Sequence, residues 1–415
     1  MSTQAKNLTM PIGVAKKKPS QLSDLVVMFL ACFSFLAFIN QRIAMLFYNW
    51  SAVILLLGFV FFVATKILYA QKQNRLDTKD YVIAIFIILY ALLAIVINGG
   101  GIGSLFVFAS VILGILAFSN IDWTPRRLAL LFYAILVLLG WWLIFIWSHQ
   151  PRWIENRELV NPNVVGIIIA GAVMYFISLL SFMKMSAKYR IAVTLLAIVI
   201  AFFMVNATRS RGALLALGAF VFFKFFVPKA VWRNKNLTFA VIGLVILGGL
   251  LVPRFALLFL EGHSLNMRDI IWSNFYAGFY RNLTNFLFGM GSGYSTYLAA
   301  GTGQPSYTAH NGSLALLMNF GVIGFILFHG FLFEMIGKIY SNGKKISKGQ
   351  TALLATFASL LVVGYIDSYL FSHTSLLFLL CGGLCIAVSL SRQVDSKSLL
   401  LKTVNFALAA EDCKA

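Results

Sequence analysis

The chain has 415 residues, 60% of them hydrophobic and only 11% charged. Soluble globular proteins carry about 25% charged and about 45–50% apolar residues, so a water-soluble fold, a nucleic-acid-binding domain and a disordered body are excluded. The net charge of +20 then asks how basic residues are shared among loops rather than pointing to a nucleic-acid partner.

The expected fold class is an all-α polytopic membrane protein. About 20 apolar residues, within a range of about 17–25, carry a helix across a bilayer. Runs of that kind fall at 24–40, 50–68, 81–98, 104–119, 128–148, 164–183, 191–207, 211–227, 238–256, 311–334, 351–367 and 375–391, which predicts about twelve spans. The first run is long, lacks a small-residue cleavage site and is followed by more spans, so it reads as a span and not as a cleaved signal peptide. The expected organisation is a basic tail over 1–23, nine helices within 24–256, a large outer loop over 257–310, three helices within 311–391 and a tail over 392–415.

Orientation follows from the basic residues. With both tails in the cytoplasm, 25 of the 33 Lys and Arg fall on the inner side and eight on the outer. Those eight are Arg42, Arg152, Arg157, Arg209, Arg211, Arg254, Arg268 and Arg281, with no lysine among them. A topology signal accepts either residue. Arginine is favoured where a planar fork must hold a phosphate or carboxylate, so an oxyanion-holding outer face stands against chance and simple solvation. Two outer segments exceed turn length, 149–163 and 257–310. Within the second, 265–288 is rich in aromatic and apolar residues and is expected to lie in the interface plane. Cys32, Cys381 and Cys385 lie in apolar runs, Cys413 in the tail, and no CxxC pair exists. They read as small core residues and not as metal ligands or a disulfide.

Five segments carry candidate chemistry. Thr208-Arg209-Ser210-Arg211-Gly212 joins the seventh and eighth spans. Two arginines so near hydrocarbon either snorkel to the interface or face a polar cavity or an anion. Arg268-Asp269, with Trp272 one turn on, is either the polar face of an interfacial helix or part of a site. Gly289-Met290-Gly291-Ser292-Gly293 lacks a βαβ context and is no dinucleotide fingerprint. It is either a linker or a loop bending sharply near a ligand. His310-Asn311 opens the tenth span. An ordinary histidine titrates near 6.5 and can take a proton from a hydroxyl, or merely caps a helix. Asp367 ends the eleventh span on a face with few acids, the others being Glu155, Glu158, Glu261 and Asp269.

In order, Thr208-x-Ser210-Arg211-Gly212, Arg268-x3-Trp272, Gly289-x-Gly291-x-Gly293 and His310-Asn311-x2-Leu314-x5-Phe320-Gly321-x2-Gly324 resemble the O-antigen ligase and polymerase superfamily. The matching motifs span about 205–330. The resemblance implies an inner-membrane, GT-C-like glycosyltransferase whose active site faces the periplasm. The donor would be an undecaprenyl-diphosphate-linked glycan and the acceptor lipid A–core, in lipopolysaccharide biosynthesis. By the same resemblance Arg211, Arg268 and His310 are catalytic, with Arg211, Arg268 and Arg209 on the donor diphosphate. Asn311, Asp269, Asp367, Ser210 and Tyr307 support them. Ligases often carry another histidine where this chain has Tyr307-Thr308-Ala309.

No Asp-x-Asp or acidic cluster faces outward, so no metal and no other cofactor is expected, arginines holding the leaving diphosphate instead. The expected partners are the lipid-linked donor, lipid A–core and membrane lipids, without nucleic acid. The leading expectation is an O-antigen ligase, and the alternative a polymerase of the same lipid-linked glycan. A twelve-span secondary transporter is a remoter one, since charges cluster at span ends instead of the midplane.

Overall fold

A computed structural model describes residue 60 and residues 76–121, 123–155, 162–183, 185–259, 267–291, 294–298, 300–301, 309–341, 345–366 and 377–391. The spans expected at 24–40 and 50–68, and both tails, lie outside the described residues. So do Tyr307, Gly293 and Asp367. The described part contains helices and no strand.

Helix α1 (Thr78–Asn98) starts on a capping box of Asp77 and Asp80 and ends at Gly99, whose φ of 64° supplies the left-handed cap. Helix α2 (Ile102–Asn120) returns. Helices α3 (Pro125–Glu155) and α4 (Pro162–Leu179) both begin on proline, where a missing N–H costs nothing. Helix α5 (Ala187–Ala207) is capped by Ser186 and α6 (Arg211–Val221) by Ser210, and α6 runs on as a π turn over Phe222–Phe226. A short α7 (Lys229–Arg233) leads into α8 (Lys235–Phe259), which contains Pro253. Three helices follow before the next long one: α9 (Arg268–Phe279), α10 (Leu283–Phe288) and α11 (Tyr294–Leu298). Then come α12 (Gly312–Tyr340), α13 (Lys348–Ile366) and α14 (Leu377–Ser391).

Seven of the described helices are long and apolar enough to cross a membrane, namely those at Thr78–Asn98, Ile102–Asn120, Arg127–Ile144, Val165–Phe182, Ala187–Ala207, Lys235–Leu258 and Gly312–Tyr340. This is a multi-pass membrane protein. The seven coincide with seven of the twelve expected spans. The runs at 211–227, 351–367 and 375–391 also form helices, the first continuing as a π turn and the last only 15 residues long. Two boundaries move. Helix α3 continues to Glu155 and takes up the first part of the expected outer segment 149–163, and the expected interfacial helix over 265–288 is two helices meeting at Asn282.

Burial separates the layers. The α4 span is 89% buried within the protein, whereas those of α5 and α8 are 22% buried and turn apolar side chains outward to lipid. Helix α13 is the axis, packed on α4, α6, α8 and α14. At the α13–α14 crossing a Cβ on Gly383 would meet the Leu353 carbonyl oxygen at 2.8 Å, so only glycine permits the approach. Cys381 and Cys385 are buried free thiols on α14.

Chain alternation gives the bundle two ends. Asn98, Ala207, Arg211, Phe259 and Gly312 share one; Asp77, Asn120, Ala187, Lys235 and Tyr340 share the other. At the second end the Lys338 ammonium is buried against Asp80 (2.8 Å) and Asp77 (2.7 Å). Breaking such a pair costs about 3–5 kcal/mol, so this contact ties α12 to the start of α1.

The longest helix is not continuous. At Gly321, φ is 64° and ψ −170°, a break inside α12. The carbonyls freed there are taken up from elsewhere. The Met318 carbonyl accepts from the amides of Met290 (2.7 Å) and Gly291 (3.0 Å). Asn98 donates to the carbonyls of Asn319 and Phe288, both at 3.0 Å. The Tyr90 hydroxyl lies within bonding range of the carbonyls of Phe320 (2.9 Å) and Leu287 (3.0 Å). The break is thus a built joint between α1, α10 and α12.

Candidate functional site

Residues of all four described motifs lie around the α1 C-terminal end of the bundle, and each is held by a different device. In the first, Thr208 and Ser210 are buried while Arg209 and Arg211 are exposed. The Thr208 hydroxyl donates to the Val205 carbonyl (2.7 Å), and the Ser210 hydroxyl accepts the Ala213 amide (3.3 Å) as the cap of α6. A Cβ on Gly166 of α4 would lie 2.6 Å from Ser210 Cβ. Threonine and serine therefore shape and seat the turn, and the guanidinium groups are what it presents. Ser210 acts here on backbone geometry, as a helix cap.

The second and fourth motifs are joined. The Trp272 indole N–H, one turn into α9, donates to the Ala309 carbonyl at 2.9 Å. On the other side of His310, Asn311 is buried, and its side chain does two things. Its oxygen accepts the Leu314 amide (3.0 Å) as the cap of α12, and its amide nitrogen donates to the Gly249 carbonyl of α8 (3.1 Å). His310 is thereby strung between α9, the helix that Arg268 opens, and α8.

Three non-glycine residues among those described have positive φ: Arg209 (54°), Met267 (66°) and His310 (47°). Each is, or directly precedes, an expected site residue. Such conformations cost about 1–3 kcal/mol and persist only where surroundings over-determine them. The bonds flanking His310 on both sides are that over-determination.

Electrostatics link His310 to Arg268. Burial first, and then the nearby Arg268 guanidinium, push the imidazole down to about 4 from 6.5. This corrects the expectation of a histidine titrating near 6.5. Both causes disfavour the imidazolium, so the ring is neutral throughout the neutral range and a weaker base than a free imidazole. Arg268 and Asp269 are half-buried in the first turn of α9. Beyond them on the same end, the Arg254 guanidinium lies over the Tyr276 ring at 5.3 Å.

The glycine motif resolves as structure. Gly289 (φ 88°) and Gly291 (φ 76°) press against backbone, where a Cβ would meet the Met318 oxygen at 2.6 Å and the Asn98 oxygen at 2.7 Å. They dock the loop into the α12 break.

Two features escaped sequence reading. Pro253 cannot donate to the carbonyl four residues back, and that carbonyl, Gly249, is the one Asn311 uses. A proline inside an apolar run was the available signal. The other is a buried pair in which His329 Nε2 and the Tyr365 hydroxyl lie 2.6 Å apart and the Tyr365 ring packs on Gly249. A straight helix would separate Asn311 from His329 by about 27 Å, yet both meet the Gly249–Tyr365 contact. The break at Gly321 lies between them and interrupts that straight path. Among the described residues no three His, Cys, Asp or Glu side chains converge so that they could hold a metal ion.

One comparison with known proteins bears on the family. Residues 196–329 match the family described as O-antigen ligase. This part of the chain is an O-antigen ligase superfamily domain. It contains Arg211, Arg268 and His310, together with Pro253 and Asn311. The domain carries a membrane-enzyme function of the ligase or polymerase type, with lipid-linked glycan as the general class of partner. No curated protein sequence matches the chain.

Proposed function

We propose that the chain is an O-antigen ligase, an inverting glycosyltransferase that moves undecaprenyl-diphosphate-linked glycan onto lipid A–core at the periplasmic face of the inner membrane. The observation that carries the proposal is the strained turn at His310, tied by the Trp272–Ala309 bond to α9, which Arg268 opens, and by the Asn311–Gly249 bond to α8, inside the superfamily domain. Transfer needs a deprotonated acceptor oxygen and a stabilised leaving diphosphate. His310 takes the acceptor hydroxyl proton, the acceptor oxygen bonds the anomeric carbon, and the bond from that carbon to the phosphate oxygen breaks. The electron pair leaves on undecaprenyl diphosphate, and one displacement inverts the centre. Arg211 and Arg268, with Arg209 beside them, stabilise the leaving group through charge-assisted paired bonds, the work a divalent cation does elsewhere. In this reading the reaction needs no metal.

The donor improves its own base. A bound diphosphate offsets the field of Arg268 at His310, so the imidazole gains basicity when substrate is present. Helix ends suit this chemistry, because the lipid tail stays in hydrocarbon while its head reaches the polar turn. Asn311 supports the geometry through its two bonds, and Asp269, Asp367 and Tyr307 are proposed supporting groups.

The polymerase reading rests on Tyr307-Thr308-Ala309, where a second histidine is missing. A lipopolysaccharide gel of a deletion strain separates the two. Bare core with accumulated lipid-linked polymer identifies a ligase, and core carrying one repeat unit identifies a polymerase.

A further inference from the structure

Helix α8 contains a proline at 253, one turn after Gly249. An unbroken helix would close a bond from residue 253 to the Gly249 carbonyl, and proline has no N–H to make it. The open carbonyl is buried, and an unpaired buried carbonyl is costly. Its partner is the side chain of Asn311, 62 residues on, at 3.1 Å. Asn311 directly follows His310, whose left-handed backbone (φ 47°) needs its neighbours fixed. The other neighbour, Ala309, is already held by Trp272.

We infer that Pro253 is a positioning residue for His310: by keeping the Gly249 carbonyl out of the helix ladder, it reserves that acceptor for Asn311 and so fixes the strained turn that carries the base. The inference rests on the proposed transfer reaction for its kinetic readout alone. Pro253 touches no substrate and acts through Gly249 and Asn311. Alanine at 253 supplies the missing N–H, closes the ladder and draws the carbonyl back toward the helix axis, away from Asn311. Aspartate at 311 keeps the oxygen that caps Leu314 but removes the donor to Gly249.

The test compares purified wild type, Pro253→Ala, Asn311→Asp and the double variant in lipid nanodiscs. Each single change is expected to lower kcat by about 10–100-fold, with KM for the lipid-linked donor nearly unchanged because Arg211 and Arg268 are intact. Pro253→Ala should unfold no earlier than wild type, since it gains a helix bond, and a purely structural proline would not lower kcat while stability held. Because both changes cut one link, the double variant should be no worse than the weaker single variant. Full kcat in either single variant, or losses that multiply in the double, overturns the inference. A second readout needs no turnover: the rate at which diethyl pyrocarbonate modifies His310, followed by peptide mass spectrometry. All three variants should change it several-fold and alike; an unchanged rate in Pro253→Ala overturns the inference. Wild type that transfers no glycan would remove the proposed reaction, and the modification rates would then decide the positioning claim alone.

Discussion

Replacing Gly321 by alanine should unfold the joint on which the site depends. The φ of 64° and ψ of −170° at this position belong to a region that side chains almost never enter, which costs about 1–3 kcal/mol. Space is also missing. An added Cβ would run into the Leu287 carbonyl oxygen and the Phe288 nitrogen, both backbone atoms that cannot swing aside. Relief requires α10 to withdraw or α12 to straighten. Either movement breaks the bonds from Met290 and Gly291 to Met318, together with the Asn98 bond to Phe288 if α10 withdraws or to Asn319 if α12 straightens. Losing two to four such bonds, at about 0.5–1.5 kcal/mol each, adds roughly 1–6 kcal/mol. The sum, about 2–9 kcal/mol, is comparable with the whole stability of many proteins. Straightening α12 would also carry Asn311 away from Gly249 and leave His310 unsupported. The assay is thermal unfolding in nanodiscs together with glycan transfer. Gly140→Ala is the control, because nothing lies within 4 Å of a Cβ there. Gly321→Ala that melts and turns over like the control would refute the joint as described.

The remaining predictions concern charge and side. With His310 pushed down to about 4, kcat/KM should keep its value down to about pH 5, with the acid limb near 4 instead of 6.5. Arg268→Gln removes the second cause of that depression, so its acid limb should move up; an unmoved limb shows that another group titrates. Stability carries the same sign. Between about 6.5 and about 4 the unfolded chain binds a proton at this histidine and the folded chain does not, so folding should weaken as pH falls through that window. His310→Gln should lessen that slope, as read from chemical denaturation at several pH values. Arg211→Lys keeps a charge but loses the fork, and should lower turnover by about 10²–10³-fold, whereas Arg281→Ala should stay near wild type in the same transfer assay. On a background without the four cysteines, Ser273→Cys should react with an impermeant thiol reagent in spheroplasts and Ser341→Cys should not. The reverse pattern would put the site in the wrong compartment.

The helix ladder was readable because membrane helices announce themselves by apolar length, and because Pro125, Pro162, Ser186, Ser210 and Asn311 mark their starts in familiar ways. The turn presenting Arg209 and Arg211 follows from the same logic, whereas the opening of α9 at Arg268 does not, because Met267 before it supplies no side-chain cap. What hid was every partner distant in sequence. The apolar run from Leu314 to Leu327 gives no sign of a break at Gly321, because the residues that satisfy the break, Asn98, Tyr90, Met290 and Gly291, come from other elements. The glycines at 289 and 291 read equally as linker or ligand loop until the Met318 carbonyl explains them. Histidine 310 looked ordinary, since burial and the field of Arg268 are properties of the fold and not of the motif. The span expected to end at 148 runs on to Glu155, because the proline at 151 removes only one ladder bond.

The central claim is that His310 is the base and the arginines are the grip. Single-turnover transfer by purified His310→Ala, with donor binding measured in parallel, tests both halves at once. The account predicts turnover lower by about 10²–10⁴-fold with donor affinity close to wild type, because Arg211 and Arg268 remain. Normal turnover, or a loss explained wholly by failure to bind donor, would contradict it.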